Sequence, residues 1–119
     1  MPSDLWPVCR RDDLAAPGCR EFDLQVGEKT INGFVVHWRG QWYAYLNSCP
    51  HTRVGLNWLP DQFFDLEQRY LQCSLHGALF EPETGLCIYG PCRGRTLTRL
   101  PVVVRHDDIA IARRELDEL

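Results

Sequence analysis

Two short segments of this 119-residue chain carry side chains suited to binding a metal: Cys49-Pro50-His51 and Cys73-Ser74-Leu75-His76-Gly77. Thiolate and imidazole are the strongest side-chain ligands for intermediate and soft transition metals, so two of each at close spacing predict a metal centre. Two chemistries fit the set. A mononuclear zinc site would take all four as a tetrahedron, but zinc modules ordinarily pair Cys with Cys and His with His, whereas each segment here holds one of each. A two-iron, two-sulfide cluster suits the mixed arrangement better, with both cysteines on one iron and both histidines on the other. Spacing alone leaves both open.

The pattern extends past the four ligands. Phe80, the turn at Glu83-Thr84-Gly85, then Gly90-Pro91 and Leu100-Pro101-Val102 follow the second segment. Together with the Cys-x-His and Cys-x-x-His-Gly boxes, these residues resemble the Rieske-type [2Fe-2S] ferredoxins over roughly residues 30–112. The resemblance implies one [2Fe-2S] cluster per chain, with Cys49 and Cys73 on one iron and His51 and His76 on the other. It also implies that Gly77 lets the backbone approach a sulfide and that Pro91 lies in a loop covering the cluster.

Departures from the family pattern carry information of their own. High-potential members have an additional Cys in each ligand loop, joined as a disulfide; Val54 and Leu75 occupy those positions here. Those members also place Ser and Tyr hydroxyls near the cluster sulfurs, where this chain has Ala78 and Phe80. A hydrogen bond to sulfur stabilises the more negative reduced state, so losing both donors predicts a potential toward the low end of the Rieske range of roughly −150 to +300 mV. Neutral imidazoles still hold it above that of all-thiolate clusters, because they add no negative charge opposing reduction. If their outer ring nitrogens lie near solvent, His51 and His76 also couple electron gain to protonation at alkaline pH.

The elements that must position these boxes read as β-structure. Phe22, Leu24 and Val26 alternate with Glu21, Asp23 and Gln25, the period of a half-buried strand near 20–26, after an opening strand near 5–9 and a loop at Ala16-Pro17-Gly18. Residues 31–39 and 41–46 form a hairpin hinged at Arg39-Gly40, rich in aromatics, that runs straight into Asn47-Ser48-Cys49. The segment with Leu56, Trp58, Phe63 and Phe64 is unusually apolar for a connection; filling a core beneath the centre is its expected role, with docking of a redox partner through Trp58 or Phe63 the alternative. Residues 69–72 should deliver Cys73. Short strands at 79–81 and 86–88 flank the turn at Pro82–Gly85, and a last hairpin spans 97–105 and 109–113 across His106-Asp107-Asp108. Helix should be scarce, at most one short turn within 57–68.

The fold class expected is all-β: a single Rieske-like domain over residues 1–119, an antiparallel sandwich of two stacked sheets with a small cluster-binding subdomain of two loops at approximately 47–92 and a frayed tail at 113–119. His37 reads as a strand residue and His106 as a turn residue. Cys9, Cys19, Cys87 and Cys92 read as small packing residues, although Cys87 and Cys92 flank a turn and could approach each other. Arg93, Arg95 and Arg99 make a locally basic patch that could steer an acidic partner.

Composition narrows the function. The chain is 45% hydrophobic with a net charge of −3, and Lys29 is its one lysine, so nothing points to nucleic acid or an anionic membrane surface. No apolar run is long enough to span a bilayer, and Met1-Pro2-Ser3-Asp4 lacks the regions of a signal peptide, so the expected compartment is the cytoplasm. No nucleotide fingerprint, nucleophile–base pair or second iron site is recognisable. The expected activity is therefore electron carriage rather than catalysis: a ferredoxin taking electrons from a flavin-dependent reductase and passing them to an oxygenase or other redox enzyme. Alternatives are a zinc-stabilised interaction module with the same four ligands, the small redox subunit of a nitrite-reductase-like enzyme, and a redox sensor.

Overall fold

Alternating apolar residues between positions 18 and 46 build the central sheet, in which β2 (Gly18–Val26), β3 (Lys29–Trp38) and β4 (Gln41–Leu46) pair antiparallel in that order. The register is continuous from Gly18 opposite His37 to Val26 opposite Lys29. On the other edge it runs from Gly33 opposite Leu46 to Trp38 opposite Gln41. The computed structural model describes residues 5–50, 55–57, 61–74 and 77–112. His51, His76, Val54, Leu75, Trp58 and the 113–119 tail lie outside the described residues.

A second sheet has the order β1-β9-β8, from β1 (Leu5–Arg10), β8 (Val102–Arg105) and β9 (Asp108–Ala112). Its Ile109 and Ile111, with Leu100, pack against Phe22, Leu24, Ile31, Val35 and Ala44 of the central sheet, so these two sheets form the expected sandwich. The ligand segments are more than loops. They carry a third small sheet, β5-β6-β7, from β5 (Leu71–Gln72), β6 (Leu79–Phe80) and β7 (Cys87–Tyr89).

That third sheet explains an irregularity of β3. Phe34, Val35 and Val36 are all fully buried although consecutive side chains of a strand point to opposite faces. Val35 faces the sandwich, while Phe34 and Val36 pack with Leu56, Phe63, Leu71, Cys73 and Phe80 on the other side. The central sheet is thus buried on both faces and separates two cores.

Two expectations about the connections are corrected. The single helical element among the described residues is a 3-10 turn at Arg11–Asp13, where the Asp13 carboxylate accepts from the Arg10 N–H at 3.1 Å. The described part of 57–68 is not helical: Asp61 and Gln68 have φ of +63° and +56°, and the Asp65 carboxylate accepts from the N–H groups of Arg69 and Tyr70 instead of leaving them to a helix. The last hairpin is also shorter than 97–105. Residues 97–100 bridge to β4 irregularly, through Leu46 N–H to Thr98 O and Leu100 N–H to Ala44 O, and Pro101 has no N–H to continue. Among the described residues no helix is long and apolar enough to cross a membrane.

Candidate metal centre

The first ligand segment leaves β4 through a polar knot. Asn47 Oδ1 accepts from the Leu56 N–H at 2.8 Å, and its amide nitrogen donates to Asn32 Oδ1 and Asn57 Oδ1 at 2.8 and 3.0 Å. Glu21 completes the knot, accepting from Asn57 at 2.8 Å and from Asn32 at 2.9 Å. These bonds hold residues 55–57 against the end of the central sheet, so both ends of the segment that contains Cys49 are fixed. Cys49 itself is 1% exposed.

The second segment is delivered by β5. Gln72 N–H donates to Phe63 O at 2.7 Å, and the next residue, Cys73, is completely buried. A tight turn follows, closed by Gly77 N–H to Cys73 O and Cys73 N–H to Ala78 O, each 2.9 Å. Gly77 takes φ of +71°, which a side chain would strain, and among the described atoms only Gln72 Nε2, 3.8 Å away, approaches the place a Cβ would occupy. The two segments are then joined by Ser74 N–H to Leu56 O at 2.8 Å.

A third strip of chain, 87–95, clamps the arrangement. Cys87 N–H bonds to Arg95 O at 2.8 Å and Gly94 N–H to Cys87 O at 3.0 Å, closing the loop on itself. Arg95 Nη1 donates to Pro50 O at 3.2 Å, which ties it to the first ligand segment. Gly90 ties it to the second, lying so close to Ala78 that a Cβ would sit 2.8 Å from its Cα. Gly90→Ala, at φ +105°, is therefore expected to cost about 2–3 kcal/mol, measured by thermal unfolding, because it combines backbone strain with a clash against backbone.

The donor set fits a thiophilic metal group. Cys49 and Cys73 share one buried cluster with Leu56, Phe63, Ala78 and Phe80, a dry apolar wall of the kind that slows hydrolysis of sulfide. Among the described residues no three His, Cys, Asp or Glu side chains could hold a metal ion; His51 and His76, the expected partners of the two cysteines, lie outside the described residues. The other two histidines are elsewhere: His37 Nδ1 lies 2.7 Å from Leu14 O with its ring stacked 4.0 Å from Trp42, and His106 occupies the β8–β9 turn at φ +50°.

Some side chains near the centre were not singled out by sequence reasoning. Asn47, Asn57 and Glu21 are ordinary polar residues whose partners are distant in the chain, and only the position of Asn47 directly before Ser48-Cys49 hinted at a role. Cys87 and Cys92 are buried, as expected of packing cysteines, and are not bonded to each other. Their sulfurs nevertheless approach to 2.9 Å, with the Cys92 S–H directed at Cys87. Burial above all, then the nearby thiols of Cys87 and Cys49, pushes the Cys92 thiol up to about 12. Phe63, for which core and docking roles were both considered, is core: it is 1% exposed and stacked 3.9 Å from Phe34. Within the basic patch, Arg95 and Arg99 each hold a carbonyl, of Pro50 and Glu83, and Arg99 also lies over the Tyr43 ring.

The sequence matches the Rieske [2Fe-2S] domain family over residues 4–110. Among solved structures, a chain of the complex of reduced oxygenase and oxidised ferredoxin in carbazole 1,9a-dioxygenase is similar at 23% identity and a TM-score of 0.71, over 92% of this chain and 93% of that one. The ferredoxin of carbazole 1,9a-dioxygenase from Nocardioides aromaticivorans IC177 is 25% identical with a TM-score of 0.67, over 91% of this chain and 96% of its own. The terminal oxygenase of carbazole 1,9a-dioxygenase from Novosphingobium sp. KA1 shares the fold at 18% identity and a TM-score of 0.70, but the match takes in 90% of this chain and 29% of the oxygenase. A comparison with curated proteins returns no match.

Proposed function

This chain belongs to the Rieske [2Fe-2S] family, and from that membership we propose that it is a one-electron carrier of the ferredoxin kind, taking electrons from a flavin-dependent reductase and delivering them to an oxygenase or another redox enzyme. The observation that carries this reading is extent: the similarity takes in 96% of a ferredoxin that serves a dioxygenase but 29% of an oxygenase. The acceptor class is suggested by the relative crystallised as a complex of oxygenase and ferredoxin.

Cys49 and Cys73 are the proposed ligands of one iron and His51 and His76 of the other. When bound, such a cluster supplies reversible one-electron transfer at a potential set by its ligands and their hydrogen bonds. The residues of the chain set the conditions. Cys49 and Cys73 place their thiolates where Leu56, Phe63 and Phe80 exclude water. The Asn47 knot and the 87–95 strip hold the two segments in register without a disulfide between them, which keeps reorganisation on electron gain small. Ala78 and Phe80 offer no hydroxyl to sulfur, which favours a low potential.

The test is electron paramagnetic resonance on anaerobically purified, dithionite-reduced protein, with iron and acid-labile sulfide counted on the same sample. The expected result is a rhombic two-iron signal with about two irons and two sulfides per chain. A silent sample holding zinc instead would make the protein a structural module and sink electron transfer.

A further inference from the structure

Charge is unevenly placed along this chain. All 16 aspartates and glutamates fall outside residues 46–60, 70–80 and 86–100, the stretches that contain both ligand boxes and the clamping strip, while Arg93, Arg95 and Arg99 fall inside the last of them. The fold preserves that separation. Leu79 pairs with Tyr89 across β6 and β7, so Ala78 and Gly90 lie at one end of the third sheet and the turn between Glu81 and Gly85 at the other. Glu83 accepts there from Trp38 Nε1 at 3.0 Å and Glu81 from the Thr84 hydroxyl at 2.8 Å. On the connection, Asp61 lies beside Arg20, Glu67 pairs with Arg69, and Asp65 accepts from the Arg69 and Tyr70 N–H groups, so these carboxylates are met by donors of their own.

The strip itself has two sides. Cys87, Cys92 and, just beyond, Leu97 are buried in the same cluster as Cys49 and Cys73. Tyr89, Pro91, Arg93 and Arg95 are exposed. Tyr89 is 63% exposed, one of three large apolar side chains so placed among the described residues, and the other two, Leu66 and Val104, lie on the connection and in the sandwich. Among the described residues the Arg93 guanidinium has no hydrogen-bond or ion-pair partner, while Arg95 is pinned to Pro50 O beside the first box. Gly90 backed against Ala78 and the Gly94 N–H on Cys87 O fix this outer row, so an incoming surface meets it already formed.

We propose that Tyr89, Pro91, Arg93 and Arg95 form the docking patch for a redox protein whose own docking face is acidic. The inference deepens the electron-carrier reading and rests on it. An electron passes only over short distances, and this row is the outer side of the strip that covers the two thiols. Aromatic and arginine side chains are enriched at protein interfaces, and arginine forks match carboxylates. Tyr89 and Pro91 supply apolar contact, and Arg93 is free to steer the partner and pair with it. The net charge of −3 opposes an acidic partner, but exposed charges farther away than a Debye length of about 8 Å are largely screened, which leaves the local patch to set orientation.

The test mixes reduced holoprotein by stopped flow with acidic plastocyanin or with basic cytochrome c, each of which takes one electron from the centre. With plastocyanin the rate is expected to fall as salt is added, and Arg93→Gln to slow it about three- to tenfold at low ionic strength. Tyr89→Ser is expected to slow it at low and high salt alike. Arg105→Gln, the same change of net charge placed in β8, is expected to leave it unchanged. With cytochrome c, Arg93→Gln is expected to be as fast as wild type or faster. Loss of a positive charge near the centre makes it a better electron donor, so slowing by Arg93→Gln reports docking and not driving force. Binding without electron transfer is followed by chemical-shift titration with cadmium-substituted plastocyanin, whose affinity for Arg93→Gln is expected to drop by a similar factor. A plastocyanin rate that rises with salt, or equal slowing in Arg93→Gln and Arg105→Gln, overturns the proposal, because net charge would then govern. Slowing of both acceptors by Arg93→Gln, an unchanged affinity for cadmium plastocyanin, or a Tyr89→Ser variant as fast as wild type overturns it too. Failure of the electron-carrier reading would show differently, as absence of the two-iron signal from the wild-type protein.

Discussion

Alanine at His51 or at His76 is expected to abolish the two-iron signal and the iron content with it, whereas alanine at His37 or His106 is expected to leave both in place. The contrast follows from the sequence positions of His51 and His76 beside Cys49 and Cys73, and from the places of His37 and His106 in the fold. His37 is a strand residue whose ring is held by Leu14 O and stacked on Trp42, so its loss should cost about 1–2 kcal/mol of stability and nothing of the centre. His106 turns the hairpin between β8 and β9, in the sheet that the central sheet separates from the thiols. His51 and His76 are each joined to a buried cysteine by one or two residues of chain, and an iron left with an open coordination position is exposed to water and oxygen. Iron and sulfide content of all four variants, measured on protein reconstituted under argon, checks the prediction. A Rieske signal surviving in either His51→Ala or His76→Ala would remove that residue from the ligand set.

A finer variant separates charge from mere occupancy. His51→Cys restores a donor but adds a negative charge, which opposes reduction. It is expected either to bind a cluster of much lower potential than wild type or, where the shorter side chain does not reach, none; a potential equal to wild type would show that ligand charge is not what sets it.

The family and the candidate ligand boxes are legible in the sequence because the chemistry of those boxes is local, although His51 and His76 lie outside the described residues. Cys49 and His51 are two residues apart, Cys73 and His76 three; the strand leading to the first box shows as the aromatic run of β4, and the sheet it belongs to shows in the alternation of Phe22 and Leu24 in β2. What was not readable depends on two faces or on distant partners. Phe34-Val35-Val36 is one apolar run in sequence, and nothing in it tells that alternate residues serve two different cores. The polar knot joins Glu21, Asn32, Asn47 and Asn57, each unremarkable alone. The place of the helical turn was misread for a related reason. Residues 57–68 have no apolar period to contradict a helix, and over the described residues 61–68 only the carboxylate of Asp65 and the left-handed backbone of Asp61 and Gln68 rule it out.

Phe63→Ala is expected to destabilise the domain by about 3–5 kcal/mol, a large share of the roughly 5–15 kcal/mol that a domain of this size has in total. Phe63 comes from the long connection between the ligand segments, yet it is 1% exposed and stacks on Phe34 at 3.9 Å with the rings 12° from parallel. Removing it leaves a cavity between the central sheet and the ligand segments and unstacks Phe34 as well, so the loss exceeds simple transfer of a ring to water. The damage should be directional. Phe63 O accepts the Gln72 N–H immediately before Cys73, so loosening this residue loosens the strand that delivers the second pair of ligands. Protein without metal is therefore expected to lose more in melting temperature than protein with its cluster, because metal binding is coupled to folding of the segments it joins. Phe63→Leu, which keeps most of the volume, should recover most of the loss. A double-mutant cycle with Phe34→Leu checks that the rings act together: if the two costs simply add, Phe63 is filling space rather than pinning the connection to β3.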